Sequence, residues 1–192
     1  MDISEVRARI VATADELYNA KGIQSVGMDE LRTAAGVSLK KLYQEFPSKS
    51  SIVMAVLERR HQSWTEGLDA RVRFAADPRV RLLAIFDYLA GWFCDDSFRG
   101  CGFINSFAEL GAISPEVAEY AREHKESFQH YVAHLVGDAG GPAYLAPQLS
   151  ILAEGAQTTA AIAGTPDAAG QARQAAVVLI DAALGKEAAA AP

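Results

Sequence analysis

Residues 26–49 confine the chain to a narrow choice of folds. They read Val-Gly-Met-Asp-Glu-Leu-Arg-Thr-Ala-Ala-Gly-Val-Ser-Leu-Lys-Lys-Leu-Tyr-Gln-Glu-Phe-Pro-Ser-Lys. Met28, Leu31 and Ala35 are spaced for one face of a short helix. Gly36 then permits a left-handed turn that other residues take only at a cost. Val37 plugs the corner, and Ser38 is suited to cap the next helix. That second helix carries Leu39, Leu42 and Phe46 on or near one side and presents Lys40, Lys41, Tyr43 and Gln44. This is the outline of a helix-turn-helix. A helix that enters a DNA major groove needs cations and hydroxyls for phosphate and an amide for base edges. Lys40, Lys41 and Gln44 are the expected base readers, and Ser38 and Tyr43 the expected backbone contacts. Leu39, in the first turn, is counted with the DNA-binding set. Lys49 is expected to bind phosphate at a helix N-terminus, where free N–H groups already favour an anion.

The net charge of −6 argues against a protein that coats DNA along its whole surface. The charge is uneven, however. Residues 1–60 hold nine Lys/Arg and eight Asp/Glu, while residues 61–192 hold nine and sixteen. An acidic body with a near-neutral head suits contact with DNA at one end only. The start, Met1-Asp2-Ile3-Ser4-Glu5, is acidic and no apolar stretch of signal-peptide type follows. No run of about eighteen apolar residues is present, so no membrane span is expected. A cytoplasmic location is expected, with Cys94 and Cys101 reduced.

Turn signals cut the chain into helices. A first helix is expected over about 4–21, with Val6, Ile10, Ala14 and Leu17 on its buried face and Gly22 at its end. Ser48 is expected to cap a fourth helix that runs to about Phe74. Asp77-Pro78, Ser114-Pro115-Glu116 and Thr165-Pro166-Asp167 each place a cap and a proline at a helix start. Gly137–Pro142 reads as a loop, and Ala188–Pro192 as a frayed tail. Apolar residues follow three- and four-residue spacing throughout, so the fold class is all-α.

Ten of the sixteen aromatic residues fall between Phe86 and Tyr131. Leu82, Phe86, Leu89 and Phe93 form one stripe, with Ile85, Tyr88 and Trp92 beside it. A helix apolar over so wide an arc is surrounded by other helices. The aromatics fit either an ordinary bulky core or a cavity for a small apolar molecule. In the second case Phe86, Trp92, Phe93, Phe103, Phe107, Phe128, Tyr131 and Thr158 are the expected ligand-binding residues, with Asn105, Glu109 and Gln157 as further polar groups. The last two helices, about 143–163 and 167–185, are rich in alanine. Small residues allow close approach, either inside one chain or between two copies. Ala176 is taken as a residue of that surface.

No serine elbow, phosphate loop or zinc-protease signature is present, so no catalytic residue and no cofactor are expected. His130 and His134, four apart, supply only two ligands, and Cys94 and Cys101 match no zinc spacing; no metal site is expected.

Gly36-Val37-Ser38, Leu42-Tyr43 and Phe46-Pro47-Ser48-Lys49 together resemble the turn, recognition helix and fourth-helix start of the TetR family of bacterial transcriptional regulators. The resemblance extends over the chain, with its specific residues between about 5 and 60. Two positions depart from it. Gly27 stands where the family usually has Thr or Ser, and Glu45 where a His is common. Glu45 is therefore expected to turn from the DNA backbone or to accept from a cytosine amino group.

The resemblance implies a helix-turn-helix domain over 1–48, a linking fourth helix over 49–74, and a ligand-binding and dimerisation domain over 75–192. It implies a homodimer through the last two helices, an inverted-repeat operator in double-stranded DNA, and a small-molecule inducer that releases a repressor. The alternatives are a DNA-binding regulator controlled by a protein partner or by thiol redox, and a helical enzyme or carrier that uses an aromatic cavity.

Overall fold

A computed structural model describes residues 3–185. Its described residues form nine helices and no strand: α1 (Ile3–Lys21), α2 (Met28–Ala34), α3 (Leu39–Glu45), α4 (Lys49–Val72), α5 (Pro78–Phe93), α6 (Gly102–Leu110), α7 (Pro115–Asp138), α8 (Leu145–Ala163) and α9 (Asp167–Leu184). The all-α expectation holds. The Ala188–Pro192 tail lies outside the described residues. No helix among them is long and apolar enough to cross a membrane.

The start signals act as local chemistry dictates. The Asp77 carboxylate accepts from the backbone N–H groups of Arg79 and Val80, with Pro78 at the first helical position of α5. Ser48 and Ser51 cap α4 reciprocally: each hydroxyl accepts the other's backbone N–H, at 3.1 and 3.2 Å. Gly164, at φ +67°, ends α8 in the left-handed region. The loop expected from Gly137 starts slightly later, because α7 continues to Asp138.

The chain divides into two compact units. The first comprises Met1–Ser63 and Cys101–Arg122; the second comprises Trp64–Gly100 and Glu123–Pro192. The division differs from the boundaries at 48 and 74 read from the sequence. α4 runs through both units, and α6 with the first third of α7 joins the unit that holds the helix-turn-helix.

In the first unit, Val6, Ile10 and Ala14 of α1, Leu31 of α2, Leu42 of α3 and Ile52, Val53 and Leu57 of α4 share one buried core. Cys101, Phe103, Val117 and Ala121 complete it. In the second unit, α9 packs on α5 and α8. Ala168, Ala169, Ala172, Ala176 and Ile180 are the buried stripe of α9, in the same core as Leu82, Phe86 and Leu89 of α5 and Leu149 and Ala153 of α8. Ala176 is fully buried there. The alanine stripe thus serves close packing within the chain, and Ala176 is not a surface residue.

Candidate nucleic-acid interface

The helix-turn-helix is built by local caps and by two arginines from α1. Gly36 takes φ +64° between α2 and α3. The Ser38 hydroxyl accepts the Lys41 backbone N–H at 3.1 Å and starts α3. Leu42 and Phe46 are buried in the unit's core, and Leu39 and Tyr43 are exposed. Lys40 and Gln44 lie on the same outer side. Ser38, Leu39, Lys40, Tyr43 and Gln44 are therefore together on the accessible surface of one short helix. Gly27 is the N-cap of α2 in an extended conformation and supplies no side-chain bond.

Arg7 and Arg9 had no signal in the spacing. Arg7 Nη1 donates to the Glu45 carbonyl oxygen at 2.6 Å, and its guanidinium lies 4.0 Å over the Phe46 ring. Arg9 Nε donates to the Ala35 carbonyl oxygen at 3.0 Å. Each cation from α1 thus satisfies a carbonyl at the C-terminal end of one motif helix, where the helix field also favours positive charge. Such contacts join residues 38 and 26 positions apart, which no local pattern reveals.

Glu45 turns from the outer face, and it turns toward Lys41 of its own helix. Its carboxylate pairs with Lys41 Nζ at 2.7 Å, one helical turn away, and its side chain is nearly covered. The pair offsets the Lys41 charge and takes one of the three donors of its ammonium. Lys41 is consequently less available to a base edge than Lys40 or Gln44.

Lys49, the first residue of α4, is half-buried. Its ammonium donates to the Gln24 carbonyl oxygen at 3.4 Å. Burial pushes its pKa down, and the Glu109 carboxylate opposes that shift. Glu109 itself accepts from the backbone N–H groups of Ile23 and Gln24 at 3.0 and 2.9 Å.

The expected ligand-binding residues are distributed over both compact units. Phe103 and Phe107 belong to the first unit, whereas Phe86, Trp92, Phe93, Phe128, Tyr131 and Thr158 belong to the second. Phe103 is buried and packs edge-on to Tyr120 at 5.8 Å, while Phe107 is 54% exposed. Phe86 and Phe128 are core residues, and Phe128 meets Trp64 edge-on at 5.1 Å. Trp92, Phe93 and Phe98 form a ring cluster with centroids 4.8–6.1 Å apart. Phe93 and Phe98 also line an open groove of about 260 Å³ with Asp95, Arg99, Ala160 and Thr165. Tyr131 is half-buried, with its pKa pushed up to about 12 chiefly by burial. Thr158 is exposed on α8 and donates to the Glu154 carbonyl oxygen at 3.3 Å. Of the other polar groups considered, Asn105 is exposed, Gln157 is buried, and Glu109 is engaged by the turn after α1.

The family model for "Bacterial regulatory proteins, tetR family" matches residues 10–56. The transcriptional activator FasR of Mycolicibacterium smegmatis is 30% identical over 148 residues, which is 77% of this chain and 66% of FasR. The transcriptional repressor NemR of Escherichia coli is 26% identical over 115 residues, 59% of this chain and 58% of NemR. The chain therefore spans about two thirds or less of these curated relatives. A TetR-family regulator from Streptomyces coelicolor has the same fold, with a TM-score of 0.87 at 24% identity over 94% of this chain and 97% of that one. The helix-turn-helix, the all-helical body and these likenesses identify the chain as a member of the TetR family of bacterial transcriptional regulators.

Proposed function

We propose that the chain is a ligand-responsive transcriptional regulator that acts as a homodimer on an inverted-repeat operator in double-stranded DNA, in the cytoplasm. The observation that carries this reading is the outer side of α3. Lys40, Tyr43 and Gln44 stand exposed on a helix whose other side is locked into a core and whose ends are held by Ser38 and Arg7. A rigid helix with an amide, a cation and a phenol at its surface is suited to the major groove. Gln44 and Lys40 read bases, Ser38 and Tyr43 hold phosphate, and Leu39 borders a thymine methyl or the sugar edge. Lys41 contributes less, being paired with Glu45, and Lys49 meets phosphate at the start of α4. Functionally, residues 1–48 are the DNA-binding part, α4 the link, and residues 75–192 the part that senses and dimerises.

Dimerisation is supported by the outer sides of α8 and α9. Ile151 and Ile162 are 70% and 83% exposed, and Val178 is 67% exposed. Ile151, Gly155, Thr158 and Ile162 recur at four, three and four residues, which is one face of α8. An apolar stripe with small residues, left outside the core, fits a two-fold partner. Thr158 is then an interface residue and not a ligand contact.

For the ligand, the groove beside Phe93 and Phe98 is the better candidate than the space among Phe86 and Phe128, whose side chains are spent on core packing. A volume of about 260 Å³ suits a small apolar or aromatic molecule. Such a molecule would release DNA if it favoured one packing of the dimer over another, and DNA would oppose it equally. The relatives include both an activator and a repressor, and repression is the simpler reading for a protein released by its ligand.

The test is selection of bound duplexes from a random-sequence pool. Enrichment of an inverted repeat with half-sites about one helical turn or a multiple apart supports the proposal. A pool that stays random after selection counts against it.

A further inference from the structure

We propose that Glu109, on α6 and sixty residues beyond the motif, is a positioning residue of the DNA interface that acts through Gln24 and Lys49. The inference rests on the DNA-binding reading above and extends it. The turn between α1 and α2 carries no cap of its own at α2, since Gly27 has no side chain to offer. Glu109 holds this turn instead. Its two carboxylate oxygens accept from successive backbone N–H groups, Ile23 at 3.0 Å and Gln24 at 2.9 Å. Gln24 Nε2 donates back to the Glu109 carbonyl oxygen at 2.8 Å. The turn's shape fits the clamp: Gly22 has φ +82°, and a Cβ there would stand only 3.2 Å from Glu109 Oε1.

The last link is the Gln24 carbonyl oxygen, 3.4 Å from Lys49 Nζ. Glu109 thus holds Gln24 by its backbone N–H and by its side chain, and the carbonyl oxygen of the same residue, in the next peptide group, accepts from the ammonium. The exposed Lys21–Glu30 ion pair also spans the turn at 2.6 Å, but a pair so open to solvent holds it weakly. The Glu109 charge opposes the downward shift that burial imposes on the Lys49 ammonium, and its hydrogen bonds hold the residue whose carbonyl the ammonium meets.

The sign of the effect on binding separates positioning from charge. Replacing Glu109 by Gln removes a negative charge near the DNA, which by Coulomb's law alone tightens binding. Loss of positioning weakens it. Because phosphate contacts are independent of sequence, the test needs no operator. The full chain is titrated by fluorescence anisotropy against a labelled duplex of about 30 base pairs of arbitrary sequence at low salt. Glu109→Gln is expected to bind about tenfold more weakly than wild type. In a Lys49→Ala background the same substitution should change little, because the group it acts through is gone.

Equal or tighter binding by folded Glu109→Gln overturns the proposal, as does an undiminished loss in the Lys49→Ala background. Should Glu109→Gln fail to fold by circular dichroism, Gln24→Ala removes only the reciprocal side-chain bond and is expected to weaken binding by a smaller factor; unchanged binding there overturns the proposal too. Amide exchange in the wild type adds an independent reading, since Ile23 and Gln24 should be protected, and fast exchange at both contradicts the clamp. If the wild type itself shows no salt-dependent affinity, the DNA-binding reading has failed. If it binds and the variants bind equally well, only the role of Glu109 has failed.

Discussion

Gln44 is exposed on α3, and its amide can donate to and accept from an adenine edge. Gln44→Ala should cost about 1–3 kcal/mol at one position of each half-site, with nonspecific affinity nearly unchanged. Competition titrations against operator variants measure this; equal losses on all duplexes would remove Gln44 from base reading. Tyr18 lies in the core of the same unit with its hydroxyl buried and without a hydrogen-bond partner. Burial pushes its pKa up to about 12, from an ordinary value of 10.0. The sign follows from linkage. The unfolded phenol ionises near its ordinary value and the folded one near 12, so this contribution to stability is complete below the lower value and is lost as pH rises to the upper. Tyr131 adds to the same window, with its pKa also near 12. Tyr18→Phe should therefore be neutral or slightly stabilising at pH 7 and should soften the fall in Tm above pH 10. Melting curves across that range test it, and an identical alkaline fall in both proteins would contradict the assignment.

At the scale of helices, what the sequence made legible was local. Gly36, Ser38, Ser48 and Asp77-Pro78 act within a few residues of themselves, and each sits where its chemistry requires. Ser38→Ala should accordingly cost about 0.5–2 kcal/mol and weaken DNA binding by loosening the first turn of α3. Chemical denaturation gives the first quantity and anisotropy the second; an unchanged stability would mean that Arg7 and the core hold α3 alone. What was not legible was tertiary. Arg7, Arg9 and Glu109 look like solvated charges in the sequence, yet each satisfies backbone groups far away in the chain. The aromatic run from Phe86 to Tyr131 fits either a bulky core or a cavity, because spacing alone does not say which residues share a space. α6 carries Phe103 and Phe107 in one compact unit, while Phe86 and Phe128 belong to the other. Composition also cannot say which face of an alanine-rich helix is buried, and Ala176 lies on the buried one.

The whole molecule turns on the outer sides of α8 and α9. Ile162→Glu and Val178→Glu place a carboxylate on exposed apolar positions and should leave the chain folded. In a two-fold interface they bury unpaired charge and should give monomers. Ala176→Glu is the contrasting substitution. It forces a charge into a fully buried position and should lower stability by several kcal/mol whatever the oligomeric state. Sedimentation velocity with thermal melting separates these outcomes. Intact dimers of both Ile162→Glu and Val178→Glu would move the interface elsewhere.

The central claim is that this chain grips duplex DNA through α3 and the start of α4. Its most direct test is the dependence of log Kd on log salt for the wild type and for Lys49→Ala on one duplex. The account predicts a straight line for the wild type with a slope of several units, and a slope smaller by about one for Lys49→Ala. An affinity that does not vary with salt, or a Lys49→Ala slope equal to that of the wild type, would contradict it.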